Sequence, residues 1–330
     1  MNKLKPKSTN GLMKHLRKSN ITIIGSYQKN QLINHGYFHG YKGYRYPNNT
    51  NSIPFSSYEQ ISKTIVFDSK LKSLLYERIM YIETALKSIV TQIILDETKS
   101  ENINDMYNLA MKNYHNCDPG ASVSQKKDSQ KTFISLKSKI ISSVLHSYEK
   151  KNPKIKHYYE DSHQRNEPPV WAIIDNLTMG VFGNLCASLT YVVRSKVSDR
   201  FDISRNFDTT REIFYRFVYL FKNLRNAVAH NEVVYNAKFA KPSITRGMET
   251  FMRNEMHLPY YNCDDIIDYV ALIVFFQKKI KVSNREQKSF IKSVKSLIDQ
   301  YFVDVGPTIA SLSFRNGWQN RLSTIVNYCR

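Results

Sequence analysis

Residues 222–231 read Lys222-Asn223-Leu224-Arg225-Asn226-Ala227-Val228-Ala229-His230-Asn231, and the segment they close decides how the chain is read. Upstream, Thr209-Thr210-Arg211-Glu212 has the form of a capping box, with hydroxyl and carboxylate satisfying the first free backbone donors of a helix. Ile213, Phe217, Phe221, Leu224 and Val228 then recur at three- and four-residue steps, the mark of one buried face. On such a helix Asn226 and His230 are four apart and share a side. Arg225 sits on the flank, and its long side chain can reach over.

A guanidinium, an amide and an imidazole within six residues are the groups needed to cleave RNA without a metal. The reaction is attack of a ribose 2′-hydroxyl on its own phosphate. His230 would move a proton, since imidazole titrates near neutral pH. Arg225 would hold the non-bridging oxygens and stabilise charge building at phosphorus. Asn226 would orient the imidazole or hydrogen-bond the phosphate. The bare spacing is weak evidence. With 9 His in the chain, about one Arg-x4–6-His match is expected by chance. On spacing alone the plainer reading ranks first: a helix-end Arg and His bonding the last free carbonyls.

The surrounding text shifts that balance. Arg225-Asn226-Ala227-Val228-Ala229-His230 resembles the R-N-x-x-A-H core of HEPN ribonucleases, and the chain resembles the Abi-like (AbiD/AbiF) abortive-infection branch of that superfamily. Four further blocks fit in order: Asn34-His35-Gly36-Tyr37-Phe38-His39-Gly40-Tyr41; Phe67-Asp68, opening a helix that contains Ile82-Glu83; Glu167-Pro168-Pro169-Val170-Trp171; and Leu177-Thr178-Met179-Gly180. The resemblance covers roughly residues 5–240. Members commonly continue A-H-H-x-R-L-x-N. Here Asn236 is kept, but Val233 stands in place of the Arg, with Glu232 beside it. The resemblance implies an all-α fold, a HEPN-type helical bundle with N-terminal and C-terminal helical extensions. It also implies a metal-independent endoribonuclease acting in antiphage abortive infection, whose facing motifs in a homodimer supply two imidazoles. Relatives of the AbiF type are associated with a small noncoding RNA.

Composition agrees with a helical, polyanion-binding protein. The chain of 330 residues is 42% hydrophobic and 23% charged, far from the signature of disorder. Gly and Pro cluster, leaving Phe55–Asp118 and Asn184–Lys241 free of both, as long helices require. With 48 Lys+Arg against 28 Asp+Glu the formal charge is +20, which self-repels in a free globule and points to nucleic acid as partner. The longest apolar run, Val270 to Phe276, is far short of a membrane span. No apolar signal region follows the basic Lys3, Lys5 and Lys7. Cys117, Cys186, Cys263 and Cys329 form no C-x-x-C pair. A reduced, cytoplasmic protein with no cofactor and no bound metal is expected.

Three sections are expected: 1–60, basic and aromatic; 61–240, the bundle; and 241–330, a C-terminal helical section. In the first, Tyr37, Tyr41, Lys42, Tyr44 and Arg45 interleave aromatics with cations, a pattern that stacks unpaired bases while tracking phosphates. The competing reading, ranked slightly ahead, is a glycine-articulated turn whose Tyr rings pack on the core. His35 and His39 share a four-residue spacing but lack a third ligand for a metal. Pro47 and Pro54 bracket a loop.

In the second section, Asp68 suits the N-cap of a helix through Ile93 with Lys70, Lys72, Arg78 and Lys87 on its outer face. Glu83 and Arg78 could reach the Arg225–His230 helix, with an inter-helix ion pair as the safer reading. Phe133, Leu136, Ile140, Ile141, Val144, Leu145 and Tyr148 predict another helix, basic outside through Lys131, Lys137 and Lys139. Pro168-Pro169 starts a helix and sets Trp171 as a core anchor. Gly180 and Gly183 break or tighten the packing that follows.

In the third section, residues 237–261 read as loop, and Asp264-Asp265 caps an apolar helix through Phe276. Ser283-Asn284-Arg285-Glu286 is a second capping box. Beyond it Arg285, Lys288, Lys292 and Lys295 form a cationic stripe without acidic counterparts, suited to tracking RNA phosphates. No glycine-rich phosphate loop, nucleophile elbow or two-metal acidic cluster is present. Two functions from different classes remain: the endoribonuclease, and a non-catalytic RNA-binding protein that holds a structured small noncoding RNA. A purely protein-binding helical module leaves the charge unexplained.

Overall fold

The computed structural model describes residues 7–46, 52–160, 167–237, 239 and 243–330. Lys3, Lys5 and most of the loop around Pro47 lie outside them. The chain begins with α1 (Thr9–Lys18), α2 (Gly25–His35), a π-helical turn (Gly36–Lys42) and the short α3 (Gly43–Arg45). There follow α4 (Tyr58–Thr98), α5 (Ile103–Asp105), a second π-turn (Met106–Ala110), α6 (Val123–Glu149) and α7 (Pro153–Glu160). The middle of the bundle is α8 (Val170–Asn176), α9 (Met179–Ser188), α10 (Tyr191–Arg200) and α11 (Ile213–Ala229). The chain ends with α12 (Arg246–Met256), α13 (Ile266–Lys279), α14 (Asn284–Val305), α15 (Pro307–Ala310) and α16 (Trp318–Tyr328). Among the described residues there is no strand, only the bridges Thr22–Ser57 and Met111–Leu189. The fold is all-α.

The spine is α4, 41 residues long and so about 60 Å from end to end. It starts nine residues before Phe67-Asp68, because Ser57 accepts from the Gln60 amide and serves as the N-cap. Asp68 is therefore no cap. It lies inside the helix and is fully buried, as are most of Lys72 and Lys87, which were expected on the outer face. All three are in phase with Leu71, Leu75, Ile79, Ile82 and Leu86 on the face that meets the rest of the molecule. Around this spine pack α8, α10, α11, α13 and α14.

Sections 1–60, 61–240 and 241–330 share one continuous core. An aromatic cluster joins them. Phe67 stacks on Tyr301 at 4.3 Å, Tyr44 stacks on Tyr235, and Tyr235 and Phe314 meet the same pair edge-on. In the third section Arg321, 2% exposed, reaches Asp265 at 2.6 Å and also Asp268, locking α16 to the start of α13.

Elsewhere the chain departs from its sequence pattern in instructive ways. The segment read as loop over 237–261 contains α12, capped by Thr245, with Met248, Phe251, Met252 and Met256 buried. Trp171 is 45% exposed, and Val170 takes the core position instead. On α6, Ile141 and Leu145 remain exposed while Leu136 and Ile140 are buried. Asp265 and Ser283 cap α13 and α14 as the sequence indicates.

Candidate functional site

The start of α11 is held by a carboxylate, not by the threonines. Asp208 accepts from the amides of Glu212 at 2.7 Å and Ile213 at 3.1 Å, filling the capping role expected of Thr209. Arg211 turns inward at φ +59° and donates to the carbonyls of Ile203 and Ser195 and to Asp199. From there Phe217, Phe221 and Leu224 are buried as the spacing requires. Gly183 of α9 tightens the neighbouring contact. A Cβ there would meet the Tyr219 ring at 2.9 Å, so only glycine lets α9 and α11 approach this closely.

The helix ends on the motif itself. The His230 amide donates to the Asn226 carbonyl, and Asn231 adopts a left-handed φ of +56°. The amides of Asn231 and Glu232 then bond back to Val228 and Ala227. This is a Schellman ending, and Asn tolerates its left-handed position better than most residues. His230 is consequently exposed at the helix tip. Asn226 is half-buried one turn earlier on the same side.

Arg225 is anchored. Its Nε donates to Glu83 Oε2 at 3.0 Å, and its Nη1 lies 3.4 Å from Asn226 Oδ1. The other Glu83 oxygen takes Lys87 at 3.1 Å, and Lys87 also donates to the Leu177 carbonyl at 2.6 Å. An inter-helix ion pair thus joins Glu83 to Arg225, while Arg78 approaches a different partner, Glu77. With Nε bonded to Glu83, the Arg225 side chain is still 29% exposed.

The segment after the motif is drawn back onto α4. Asp68 accepts from the Val234 amide at 3.0 Å, the Tyr235 amide at 2.7 Å and the Tyr44 hydroxyl at 2.8 Å. Lys72 pairs with Asp68 at 3.0 Å and donates to Asn231 Oδ1 at 2.5 Å and to the Glu232 carbonyl at 3.2 Å. The far side of the Asn231 amide lies 3.3 Å from His39 Nε2. His35 turns elsewhere, to the Tyr58 hydroxyl at 3.3 Å, so these two imidazoles do not converge.

Between the π-helical turn and the post-motif segment lies a cleft of about 790 Å³. His15, Tyr37, His39, Lys42 and Tyr46 line one side, and Glu232, Val233 and Asn236 the other. Of the aromatic–cation residues read as an RNA-binding set, Lys42 is exposed and lies over the half-buried Tyr37 ring. Tyr41 and Tyr44 are each 1% exposed and belong to the core, so neither ring face is offered to a base. Burial and the bond to Asp68 push the Tyr44 hydroxyl far above its usual range. Arg45 is spent on Tyr41 and the Ser19 carbonyl. Burial, then Lys7, Lys42, Arg45 and Lys18, hold the His15 imidazole below its ordinary value.

Arg285, Lys288, Lys292 and Lys295 all lie exposed along α14, and none lines the cleft. The stripe has an acidic counterpart after all, since Lys295 pairs with Asp299 one turn on at 2.6 Å. Among the described residues, the group whose spacing could suit a metal is Asp264, Asp265 and Asp268. Arg315 and Arg321 neutralise it. No described helix is long and apolar enough to cross a membrane.

Asp68 and Lys72, which hold the segment after the motif, are contacts that motif reading passes over. A signal for them was present, because both fall in phase with the buried Leu75 and Ile79.

These features define an all-α bundle whose R-N-x-x-A-H sequence ends a core helix at the surface. The chain belongs to the Abi-like protein family, whose model matches residues 30–236, more than half its length. Membership points to abortive infection as its setting. No curated protein and no solved structure matches it.

Proposed function

We propose that this chain is a metal-independent endoribonuclease of HEPN type that acts in antiphage abortive infection. The observation that carries the reading is the end of α11. A guanidinium fixed through one nitrogen by Glu83 and an exposed imidazole sit within one and a half turns of each other, with Asn226 beside them. Arg225 would bind the non-bridging oxygens, and His230 would transfer a proton at the reacting ribose or leaving group. The products would carry a 2′,3′-cyclic phosphate and a 5′-hydroxyl. The formal charge of +20 supplies the long-range attraction for RNA. Val233, where relatives commonly carry Arg, leaves Arg225 as the cation within the motif. A homodimer, which the HEPN resemblance implies, would set two such helix ends side by side.

The test is cleavage of total RNA in EDTA by wild type, Arg225→Ala and His230→Ala. Loss of His230 is expected to slow cleavage by about 10²–10⁴-fold, with RNA binding retained. Binding by wild type with no cleavage under any condition would leave the non-catalytic holder of a structured RNA.

A further inference from the structure

We propose that the cleft beside the π-helical turn docks unpaired RNA nucleotides, stacking their bases and holding their phosphates without taking part in cleavage. The proposal rests on the reading of this chain as one that acts on RNA. None of Arg225, Asn226 and His230 lines the cleft, so it is a holding surface and not part of the motif.

The charge of the chain is unevenly placed. Residues 1–58 hold 7 Lys and 2 Arg and no Asp or Glu, so nearly half of the +20 excess falls in less than a fifth of the length. A stretch without internal countercharge gains most from an external polyanion. The fold gathers part of this charge around the cleft. Lys42 lines its wall, and Lys7, Lys18 and Lys42 are all exposed. His15 stands in the same wall. Its imidazole is held down by burial and then by Lys7, Lys42, Arg45 and Lys18, so the fields of four cations meet there. Among the described residues lining the cleft, Glu232 is the one acid, and it lies on the opposite wall. An RNA backbone would therefore run along the helical side, over the lysines.

The rings of this section form two layers. Tyr41 and Tyr44 are each 1% exposed and belong to the core. Tyr37 packs on Tyr41 at 5.3 Å and Tyr46 meets it edge-on at 6.5 Å, and both line the cleft. Phe38 completes the wall with 82% of its surface in water. A lone exposed apolar residue is ordinary. This one shares a wall with two tyrosines and a lysine, and Lys42 Nζ lies 5.7 Å over the Tyr37 ring. Rings that take bases beside cations that take phosphates are the means by which single strands are held. A duplex keeps its base faces covered, so only unpaired nucleotides can use these rings. The cleft volume of about 790 Å³ falls within the range of about 300–1,000 Å³ of small-ligand sites, room enough for a splayed nucleotide. Gly40 sets the geometry. A Cβ there would lie 2.7 Å from that of His35, so the π-helical turn carrying Phe38 closes only with glycine.

The experiment measures equilibrium binding of the full chain, in a His230→Ala background that spares the probe, to a labelled unstructured RNA dodecamer. The same strand annealed to its complement is the second probe, and both are followed over a salt series. Phe38→Ala is expected to lose about tenfold in affinity for the single strand and none for the duplex, with salt slope and melting temperature unchanged. Phe38→Tyr keeps a stacking face and should bind as the parent does. Lys42→Gln should flatten the slope of log affinity against log salt by about 0.7, one single-strand phosphate contact. With His230 intact, Phe38→Ala should raise KM for RNA cleavage and leave kcat in place.

Single-strand affinity that survives Phe38→Ala, or equal losses for strand and duplex, overturns the proposal. So does displacement of the RNA by polyglutamate as readily as by oligocytidylate of equal charge, which would make this surface a seat for an acidic protein. The predicted binding pattern in a chain that never cuts RNA leaves the docking site standing and overturns the ribonuclease reading. Cleavage whose kcat and KM are both indifferent to Phe38 does the reverse.

Discussion

Replacing Asp68 by Ala tests whether the site is built by the spine helix. The carboxylate is completely buried and serves four donors: Lys72, the Tyr44 hydroxyl and the amides of Val234 and Tyr235. Its removal leaves the Lys72 ammonium, in a residue only 7% exposed, without its countercharge. Breaking such a buried pair costs about 3–5 kcal/mol. The two orphaned amides would each add about 1–3 kcal/mol if water could not reach them. Water will reach part of the space, so about 4 kcal/mol is the expected total. At roughly 2–4 °C per kcal/mol for a large domain, the melting temperature should fall by about 10 °C. Tyr44→Phe removes one hydrogen bond and should cost only about 1 kcal/mol.

The loss should also be local. Hydrogen exchange is expected to accelerate at Val234 and Tyr235 well before it does along α4, because these amides have no helical partner to fall back on. Cleavage should fall with it, since Lys72 and Asn231 depend on the same anchor. Asp68→Ala melting within about 1 kcal/mol of wild type, with Val234 and Tyr235 still protected, would refute the reasoning.

Other perturbations follow the same physics. Arg321→Ala strands Asp265 and Asp268 in the interior and should destabilise by about 3–5 kcal/mol, read by urea unfolding, with early loss of the α16 contact. Burial, then Asp265, raises the Asp268 carboxyl to about 7 against the pull of Arg321. The folded state therefore holds a proton that the unfolded chain releases near pH 4. The stability this contributes is complete below about pH 4 and is lost as pH rises through 7. Wild type should lose melting temperature between pH 5 and 7.5 relative to its own maximum, and Asp268→Asn should show a flatter profile. Glu83→Gln releases Arg225 and should slow cleavage by about 10–100-fold, as misplacement by an ångström does, while RNA affinity stays within about twofold. Equal loss of affinity and rate would mean that Glu83 supports RNA binding and does not position Arg225 for the reaction.

Much of the fold was legible because apolar periodicity is a local signal. The buried residues of α11, α13 and α14 fall where spacing puts them. The two misread caps share one cause. Polar residues beside a helix start were assigned to caps, yet a carboxylate or hydroxyl can bond any nearby donor. Asp68 took the amides of a segment more than 160 positions away, and Thr209 lost its role to Asp208, one residue earlier. For Asp68 no local rule finds the partner, because it is remote in sequence. The aromatic–cation run divided for the same reason. Tyr41 in the π-helical turn and Tyr44 in α3 are buried, Tyr44 held by Asp68 of α4, while Lys42 and His39 are left outside.

The same remote partners explain why the motif was visible as text while its surroundings, apart from the Glu83 ion pair, were not. Arg225, Asn226 and His230 are contiguous, so a reader meets them together. The contacts that hold them come from α4 and the π-helical turn: Glu83 bonds the guanidinium, Lys72 bonds the Asn231 amide oxygen, and the amide nitrogen faces His39. Each of these contacts spans more than 140 positions. A change in any of the three should alter the reaction while leaving the motif letter-perfect. Grafting the motif onto another helix end without Glu83 and Lys72 equivalents should yield a chain that binds RNA through its charge and does not cut it.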